Sequence, residues 1–170
     1  SVFLFMLGRA GTQVLSTPSS YARTATGCDH LAKRADLYVY TDGGARGNPG
    51  PAASGYAIFG PAGEILDKGA KTIGRRTNNE AEYEALIWAI QRAKAISAGD
   101  VRFHSDSELM VRQVNGVYQV KKEHLRVLVE RVKKEAAGFR SFRIVSLPRE
   151  DERIQLVDAL VNDVLDGQGF

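Results

Sequence analysis

The sequence predicts an α/β domain with a five-stranded mixed sheet, three antiparallel strands followed by two parallel ones, flanked by helices. Three strands come first, at Leu37–Asp42, Ala52–Phe59 and Glu64–Ile73, with turns rich in glycine or proline between them. Strands this close together form an antiparallel meander. Helical and strand patterns then alternate to the end of the chain, and this order predicts parallel strands with helices on the sheet faces.

The second half of the domain supplies two strands and four helices. The first helix is predicted to begin at Asn78 or Asn79 as the N-cap and to run to about Ile96. The elements predicted after it are the strand Val101–Asp106, the short helix Ser107–Val114, the helix Lys122–Ala137, the strand Phe139–Leu147 and the helix Leu156–Asp166.

The chain has two regions that differ in composition. We predict an N-terminal extension of unknown role at residues 1–35 and one folded domain at residues 36–170. The extension holds four basic residues and one acidic residue, whereas the domain holds 19 of each, so the net charge of +3 lies entirely in the extension. Such a basic, acid-poor composition is typical of an organellar transit segment. A start-site-derived extension and a lineage-specific tail are the alternatives.

Composition narrows the class of protein further. A hydrophobic content of 44% with 25% charged residues is normal for a soluble globular domain. The longest apolar run is the six residues of Val2–Leu7, far below the ~20 that a membrane span needs, so no membrane association is expected. The single cysteine, Cys28, favours a reducing compartment. We therefore expect a cytoplasmic location, or an organelle if the extension is a transit segment.

Four acidic residues lie where binding sites form in α/β proteins. Asp42 and Asp106 are each predicted to end a strand, and sites form outside the carboxyl ends of strands in open sheets. Glu82 is predicted in the first turn of a helix, on the stripe that packs against the sheet. Asp158 shares the apolar face of the last helix. A carboxylate in such a position is costly unless a positive charge meets it.

Each acid alone also has a structural explanation. Asp42 could bond to the turn after it, Asp106 could cap the next helix, Glu82 could favour the helix dipole, and Asp158 could be a helix-start acid. Together, oxygen ligands without a matching set of His or Cys indicate Mg²⁺ or Mn²⁺ rather than zinc. Two such ions can activate a water and stabilise the leaving oxygen of a phosphodiester.

The chain resembles the type 1 ribonuclease H family over about residues 36–166. The resemblance is carried, in order, by the segments Tyr40–Pro51 (YTDGGARGNPGP), Thr77–Tyr83 (TNNEAEY), Asp106–Glu108 (DSE), Pro148–Glu150 (PRE) and Asp158–Asn162 (DALVN). It is similar to the archaeal and bacterial subgroup that lacks a long basic handle, because only Asn115–Lys121 separates the regions of the third and fourth helices.

This resemblance implies a ribonuclease H-like fold and a catalytic domain at residues 36–170. The implied activity is endonucleolytic hydrolysis of the RNA strand of RNA–DNA hybrids, leaving a 5′-phosphate and a 3′-hydroxyl. It implies two Mg²⁺ ions, with Mn²⁺ as a possible substitute, held by Asp42, Glu82, Asp106 and Asp158. A monomer is expected for so small a nuclease.

The resemblance also implies residues that contact the hybrid. Asn48, Asn78 and Asn79 match positions that touch the strands through the minor groove, where an amide can both donate to and accept from the ribose 2′-hydroxyl. Gly47 would let the backbone approach the nucleic acid closely. Arg75 and Thr77, together with Asn78, resemble a pocket that binds a phosphate of the DNA strand. Lys121 and Lys122 lie where the handle would be in longer relatives.

Arg149 stands where many relatives carry a His in the loop after the last strand. Because an arginine stays protonated, its predicted role is electrostatic. Two other functions compete with hybrid cleavage. One is a silent module that only binds hybrid or double-stranded RNA, and the other is an exonuclease or recombinase-like enzyme. The intact acidic quartet argues against the first, and the Thr77–Asn79 and Gly47–Gly50 segments argue against the second.

Overall fold

A computed structural model describes residues 34–169. Nearly all of the predicted extension, with Cys28 and the apolar run at its start, lies outside these residues, so the division at residues 35 and 36 stays a prediction. Within the described part, no helix combines the length and apolar character needed to cross a membrane.

The sheet has the predicted five strands in the order β3-β2-β1-β4-β5. The pairs β1–β2 and β2–β3 are antiparallel, and the pairs β1–β4 and β4–β5 are parallel. The predicted fold class is therefore confirmed. The strands are β1 (Leu37–Ala45), β2 (Gly50–Phe59), β3 (Ile65–Arg76), β4 (Asp100–Ser105) and β5 (Ser141–Ser146).

Four helices cover the two faces of this sheet. They are α1 (Asn78–Lys94), α2 (Glu108–Val114), α3 (Glu123–Ala136) and α4 (Glu152–Gly167). The main core lies between α1–α3 and the inward side chains of β1, such as Leu37 and Val39. The alternate residue Tyr40 packs with Ile154 and Val157 of α4 on the other face. This alternation along β1 decides which helix each side chain meets.

The start of α1 differs from its prediction, because Thr77 is the N-cap rather than Asn78 or Asn79. The Thr77 hydroxyl accepts from the Glu80 N–H at 3.1 Å, and the Glu80 carboxylate accepts from the Thr77 N–H at 2.9 Å. This reciprocal capping box satisfies two amide groups at once, which a single Asn cap could not do. The asparagines are thereby left inside the first turn, with their side chains available for other contacts.

The start of α4 was also predicted wrongly. The helix begins at Glu152 rather than Leu156, because the Asp151 carboxylate accepts from the N–H groups of Arg153 and Ile154 at 2.9 and 3.1 Å. Asp158 consequently lies in the second turn of the helix. The explanation of Asp158 as a helix-start acid is therefore wrong.

Two glycines allow the helices to approach the sheet closely. A Cβ at Gly43 would lie 2.3 Å from the Ala81 carbonyl oxygen of α1, and a Cβ at Gly55 would lie 2.8 Å from Cγ2 of Val161 in α4. Gly55 is paired with Asp42 across the sheet. The absence of side chains at these positions brings both helices up to the same short stretch of β1.

We predict that Gly43→Ala destabilises the fold by about 1–3 kcal/mol, since the new methyl group would overlap backbone atoms of α1 that cannot rotate away. Gly44→Ala is the matched control, because a Cβ there meets nothing within 4 Å. It should change the free energy of unfolding by less than about 0.5 kcal/mol. Chemical denaturation of both variants checks this, and equal stabilities would contradict the close packing of α1 on β1.

Candidate active site

Asp42 is a buried acid of β1. It lies within β1 rather than at the strand's end, since β1 continues to Ala45 and the turn begins only at Arg46. Its predicted position at the end of a strand is wrong because Gly43 and Gly44 remain paired with β2. Asp42 is 6% exposed, so its carboxyl group lies almost wholly inside the protein.

Asp106 lies beside Asp42 because of the parallel pairing of β1 and β4. Tyr40 pairs with His104 in this ladder, and each acid follows its paired residue by two positions. Ser107, whose hydroxyl accepts from the Met110 N–H at 3.3 Å, caps α2. The alternative explanation of Asp106 as a helix cap is therefore wrong.

Glu82 reaches the same place from α1. It lies in the second turn of that helix rather than the first, as the start at Asn78 requires. Ligand oxygens of Asp42, Glu82 and Asp106 all lie within 4.8 Å of one another. The structure therefore brings together three of the four predicted metal ligands. We call this group the carboxylate cluster.

Asp158 lies at the margin of the carboxylate cluster. It lines a cleft of about 300 Å³ together with Asp42, Glu82 and Arg149, and its proximity contributes to the raised pKa of Asp42. Unlike the other three acids it is exposed, although it shares a helix with the buried residues Val157 and Val161. The expected burial of Asp158 on the apolar face of α4 is therefore wrong, although Asp158 lines the same cleft as Asp42 and Glu82.

The electrostatics of the cluster are unfavourable without a counter-charge. Burial raises the pKa of Asp42 to about 8, and repulsion from Asp106 and Asp158 acts in the same direction. Burial, followed by repulsion from Asp42 and Asp106, raises the pKa of Glu82 well above its usual range. The Gly43 N–H, which donates to the Glu82 carboxylate, and the charge of Arg149 oppose this shift only in part.

One carboxylate oxygen of the cluster, Glu82 Oε1, indicates that the cluster is suited to a cation. Among the described residues, none donates a hydrogen bond to Glu82 Oε1, which is also shielded from solvent. An unpaired buried carboxylate oxygen is costly, and a cation among the three acids would satisfy it. A donor set made only of carboxylate oxygens suits a hard divalent ion such as Mg²⁺ or Mn²⁺.

Arg149 is a positive group that contacts the cluster. Its Nε lies 3.4 Å from Asp106 Oδ2, while its side chain is 83% exposed. It thus faces both the acids and the solvent at the mouth of the cleft. By contrast, His104 is buried, bonds through Nδ1 to the Val39 carbonyl at 3.0 Å and stacks on Tyr40. His104 is therefore a packed residue of the sheet.

Two of the predicted hybrid contacts organise the rim of the cleft. Asn78 Oδ1 accepts from the Ala45 N–H at 2.8 Å, and Asn48 Oδ1 accepts from the Asn78 N–H at 3.0 Å. These hydrogen bonds connect the loop between β1 and β2 (residues 46–49), which we call the glycine-rich loop, to the start of α1. Gly47 has a φ of 110°, a conformation that side chains rarely adopt. Asn79 lies half-buried in the first turn of α1.

The other predicted contacts are more dispersed. Arg75 is exposed near the end of β3 and lines a different cavity of about 340 Å³. The Thr77 hydroxyl is engaged by Glu80 as both donor and acceptor. Lys121 and Lys122 are exposed just before α3 and are not among the residues that line the carboxylate cleft.

The structure adds to the cleft two polar side chains that were not predicted from the sequence, those of Arg46 and Asn162. Asn162 follows Asp158 by four positions, which places the two side chains next to each other on a helix. That spacing was available in the sequence. The contact of Arg46 with α4 spans more than a hundred residues of chain, and no local pattern predicts it.

The sheet topology and the acidic cluster together define a protein of the ribonuclease H-like fold. A family model described as "Reverse transcriptase-like" matches residues 40–164. The crystal structure of RNase H1 from the halophilic archaeon Halobacterium salinarum is similar, with a TM-score of 0.73 and 37% identity over 77% of this chain and 98% of that one. The chain belongs to the type 1 ribonuclease H family, whose members use a divalent metal.

Further relatives agree with this membership. Ribonuclease HI of Halobacterium salinarum is 38% identical over 130 residues, which are 76% of this chain and 64% of that protein. A bifunctional protein of Mycobacterium tuberculosis is 36% identical over 131 residues, or 76% and 35% of the two chains. LC11-RNase H1, solved in complex with an RNA/DNA hybrid, has a TM-score of 0.73 and 37% identity over 79% of this chain and 99% of that one. The matched region thus spans less than two thirds of the two curated relatives.

The raised pKa of Asp42 predicts how stability depends on pH in the metal-free protein. The folded state keeps a proton that the unfolded chain releases near its ordinary pKa of 3.8. The free energy of unfolding should therefore fall as pH rises from about 4 to about 8. Asp42→Asn should remove this loss and stabilise the protein by on the order of 2 kcal/mol at pH 8, with little effect at pH 4.

Thermal unfolding in chelator at several pH values measures this. Asp163→Asn is the control, since Asp163 is an exposed acid of α4 that is not among the residues lining the cleft. Adding Mg²⁺ at pH 8 should raise the free energy of unfolding of the wild type more than that of Asp42→Asn. A wild type whose stability rises steadily between pH 5 and 8 in chelator would contradict the assignment.

Proposed function

We propose that this chain is an endonuclease that hydrolyses the RNA strand of RNA–DNA hybrids and leaves 5′-phosphate and 3′-hydroxyl ends. The observation that carries the proposal is the convergence of Asp42, Glu82 and Asp106 within 4.8 Å in a place where Glu82 Oε1 has no hydrogen-bond donor among the described residues. An arrangement this repulsive is more easily explained by a cation site than by a role in stability.

The four acids would hold two Mg²⁺ ions, with Mn²⁺ as a possible substitute. Such ions supply an activated water and stabilise the leaving oxygen of the phosphodiester. Asp42, Glu82 and Asp106 provide the buried part of the ligand set, and Asp158 provides the part nearest the solvent. Substrate would therefore approach from the side of Asp158 and Arg149.

Arg149 would contribute positive charge where the scissile phosphate enters. Its guanidinium lies between the cluster and the solvent and donates only, so it can hold phosphate oxygens but cannot take a proton from water. Its pairing with Asp106 would also limit the repulsion between that acid and an incoming phosphate.

Recognition of the hybrid would use the rim of the cleft. The amide oxygens of Asn48 and Asn78 are occupied by backbone N–H groups, so each side chain keeps its NH₂ group as a donor toward the minor groove. Gly47 would let the loop backbone approach a strand. Thr77 would act by fixing the start of α1 and so the position of Asn78, because its hydroxyl is held by Glu80.

The remaining contacts are proposed on family likeness and charge. Asn79 would contact the strands through the minor groove, as Asn48 and Asn78 would. Arg75 would bind a phosphate of the DNA strand away from the cut, and Lys121 and Lys122 would make weak backbone contacts at the place of the handle. The chain is proposed to act as a monomer in the cytoplasm, or in an organelle if residues 1–35 direct it there.

A cleavage assay tests the proposal directly. With Mg²⁺ or Mn²⁺, a labelled RNA–DNA hybrid should be cut within its RNA strand, whereas chelator should abolish cutting. Asp42→Asn should lower the rate at least about a hundredfold, because a ligand of the cation is lost; Asp163→Asn should not. Equal rates on double-stranded RNA or single-stranded DNA would reject hybrid specificity, and binding of the hybrid without cutting would favour the silent-module alternative.

Arg149→Ala should lower the turnover of the hybrid about tenfold, corresponding to about 1.4 kcal/mol of lost electrostatic stabilisation. Arg149→Lys should keep part of the rate, since it retains the charge but not the planar fork. Arg143→Ala is the control, because Arg143 is an exposed arginine on β5. Unchanged turnover in Arg149→Ala, measured under saturating hybrid, would show that the assigned role is wrong.

A further inference from the structure

Asp158 lacks the packing that fixes the other acids. It is exposed on α4, whereas Asp42 is buried, Glu82 Oε1 is shielded from solvent and the Asp106 side chain is only 10% exposed. An exposed aspartate has several accessible rotamers, and only some of them would direct its carboxylate toward the cluster. The orientation of Asp158 must therefore come from hydrogen bonds rather than from the core.

Asn162 supplies such a bond. Its Nδ2 donates to Asp158 Oδ2 at 3.2 Å and to the Asp158 carbonyl at 3.1 Å. An amide side chain can offer either its oxygen or its nitrogen, and only the nitrogen can donate to a carboxylate. The contact with Asp158 is favourable only while the amide is held in this orientation.

Arg46 determines the orientation of that amide. Its Nη2 donates to Asn162 Oδ1 at 3.2 Å. A guanidinium has donors and no acceptor, so it can meet only the oxygen of the amide. The NH₂ group of Asn162 must then face Asp158. If the amide were flipped, donor would face donor at Arg46 and acceptor would face acceptor at Asp158.

Arg46 is itself held through both its side chain and its backbone. Its Nη2 forms an ion pair with Asp166 Oδ1 at 3.0 Å, one turn beyond Asn162 on α4. Its backbone N–H donates to the Pro51 carbonyl at 2.7 Å across the base of the glycine-rich loop. Gly50 could carry no side chain here, since a Cβ would lie 2.2 Å from the Arg46 carbonyl oxygen. The loop proposed to contact the hybrid is therefore connected to Asp158 through two side chains.

We infer that Arg46 and Asn162 are positioning residues that orient Asp158 for cation binding and link its orientation to the glycine-rich loop. This inference rests on the proposed function. Neither residue touches the reacting atoms. Their loss should weaken the binding of the ion that Asp158 helps to hold, while the affinity for the hybrid stays near that of the wild type.

The test compares Arg46→Ala and Asn162→Ala with the wild type. Each should raise the Mg²⁺ concentration for half-maximal cleavage about tenfold, as expected for partners that orient a metal ligand. The KM for the hybrid at saturating Mg²⁺ should change less than about twofold, because the acids and the rim amides remain. Calorimetry with Mn²⁺ on the free protein gives a readout independent of activity, and both variants should bind Mn²⁺ more weakly.

Three controls make the result specific. Arg140→Ala removes an arginine that is also ion-paired, with Asp100 at 3.0 Å, but that is not among the residues lining the cleft, and it should leave Mn²⁺ binding unchanged. Arg46→Lys should restore part of the Mn²⁺ affinity, since a lysine still donates to the amide oxygen. The double variant Arg46→Ala/Asn162→Ala should be no worse than Asn162→Ala alone, because both substitutions act through one contact.

Unchanged Mn²⁺ affinity and Mg²⁺ requirement in both single variants would overturn the inference. A higher KM with an unchanged Mg²⁺ requirement would also overturn it, because Arg46 would then be a hybrid contact. If Arg46→Ala failed to fold, Arg46→Lys and Asn162→Ala would still decide the matter. Failure of the wild type to cut any hybrid would reject the proposed function, whereas the Mn²⁺ comparison would remain informative.

Discussion

Mutual repulsion among carboxylates held within 4.8 Å of one another is the constraint on which the rest of this structure depends. Burial raises the pKa of Asp42 to about 8, and repulsion from Asp106 and Asp158 acts in the same direction. The fold keeps the acids together nonetheless, by parallel pairing of β1 with β4 and by close packing of α1 on Gly43. A site so costly to the metal-free protein is suited to binding cations.

Glycines of the sheet, rather than large side chains, allow the helices to bring their acids to the site. Gly43 lets α1 deliver Glu82, and Gly55 lets α4 approach β2 opposite Asp42. The backbone of Gly43 also donates to the Glu82 carboxylate. Rigid elements therefore fix the three inner acids, whereas the exposed Asp158 depends on polar side chains of its own helix and of the glycine-rich loop. Packing thus fixes three of the acids, and hydrogen bonds orient the fourth. The glycine-rich loop can therefore change the orientation of Asp158 without moving the other three acids.

Sequence reasoning predicted the sheet, its mixed pairing and the convergence of Asp42, Glu82 and Asp106, because these follow from alternation, turn residues and motif order. It misplaced features that depend on contacts between distant segments. Asp42 was expected to end its strand because two glycines follow, yet those glycines stay paired in the sheet. Asp158 was expected on the buried face of a helix that in fact begins a turn earlier, at the Asp151 cap. The contact between Arg46 and Asn162 joins the loop after β1 to α4, and no local sequence pattern predicts it.

The central claim is that the carboxylate cluster is a cation site, and anomalous diffraction tests it most directly. Crystals grown with Mn²⁺ should show an anomalous peak within bonding distance of Asp42, Glu82 and Asp106, and the same crystals of Asp42→Asn should show a weaker peak or none. A wild-type map with strong peaks elsewhere and none among these three acids would contradict the account, because the repulsion would then lack the counter-charge that explains it.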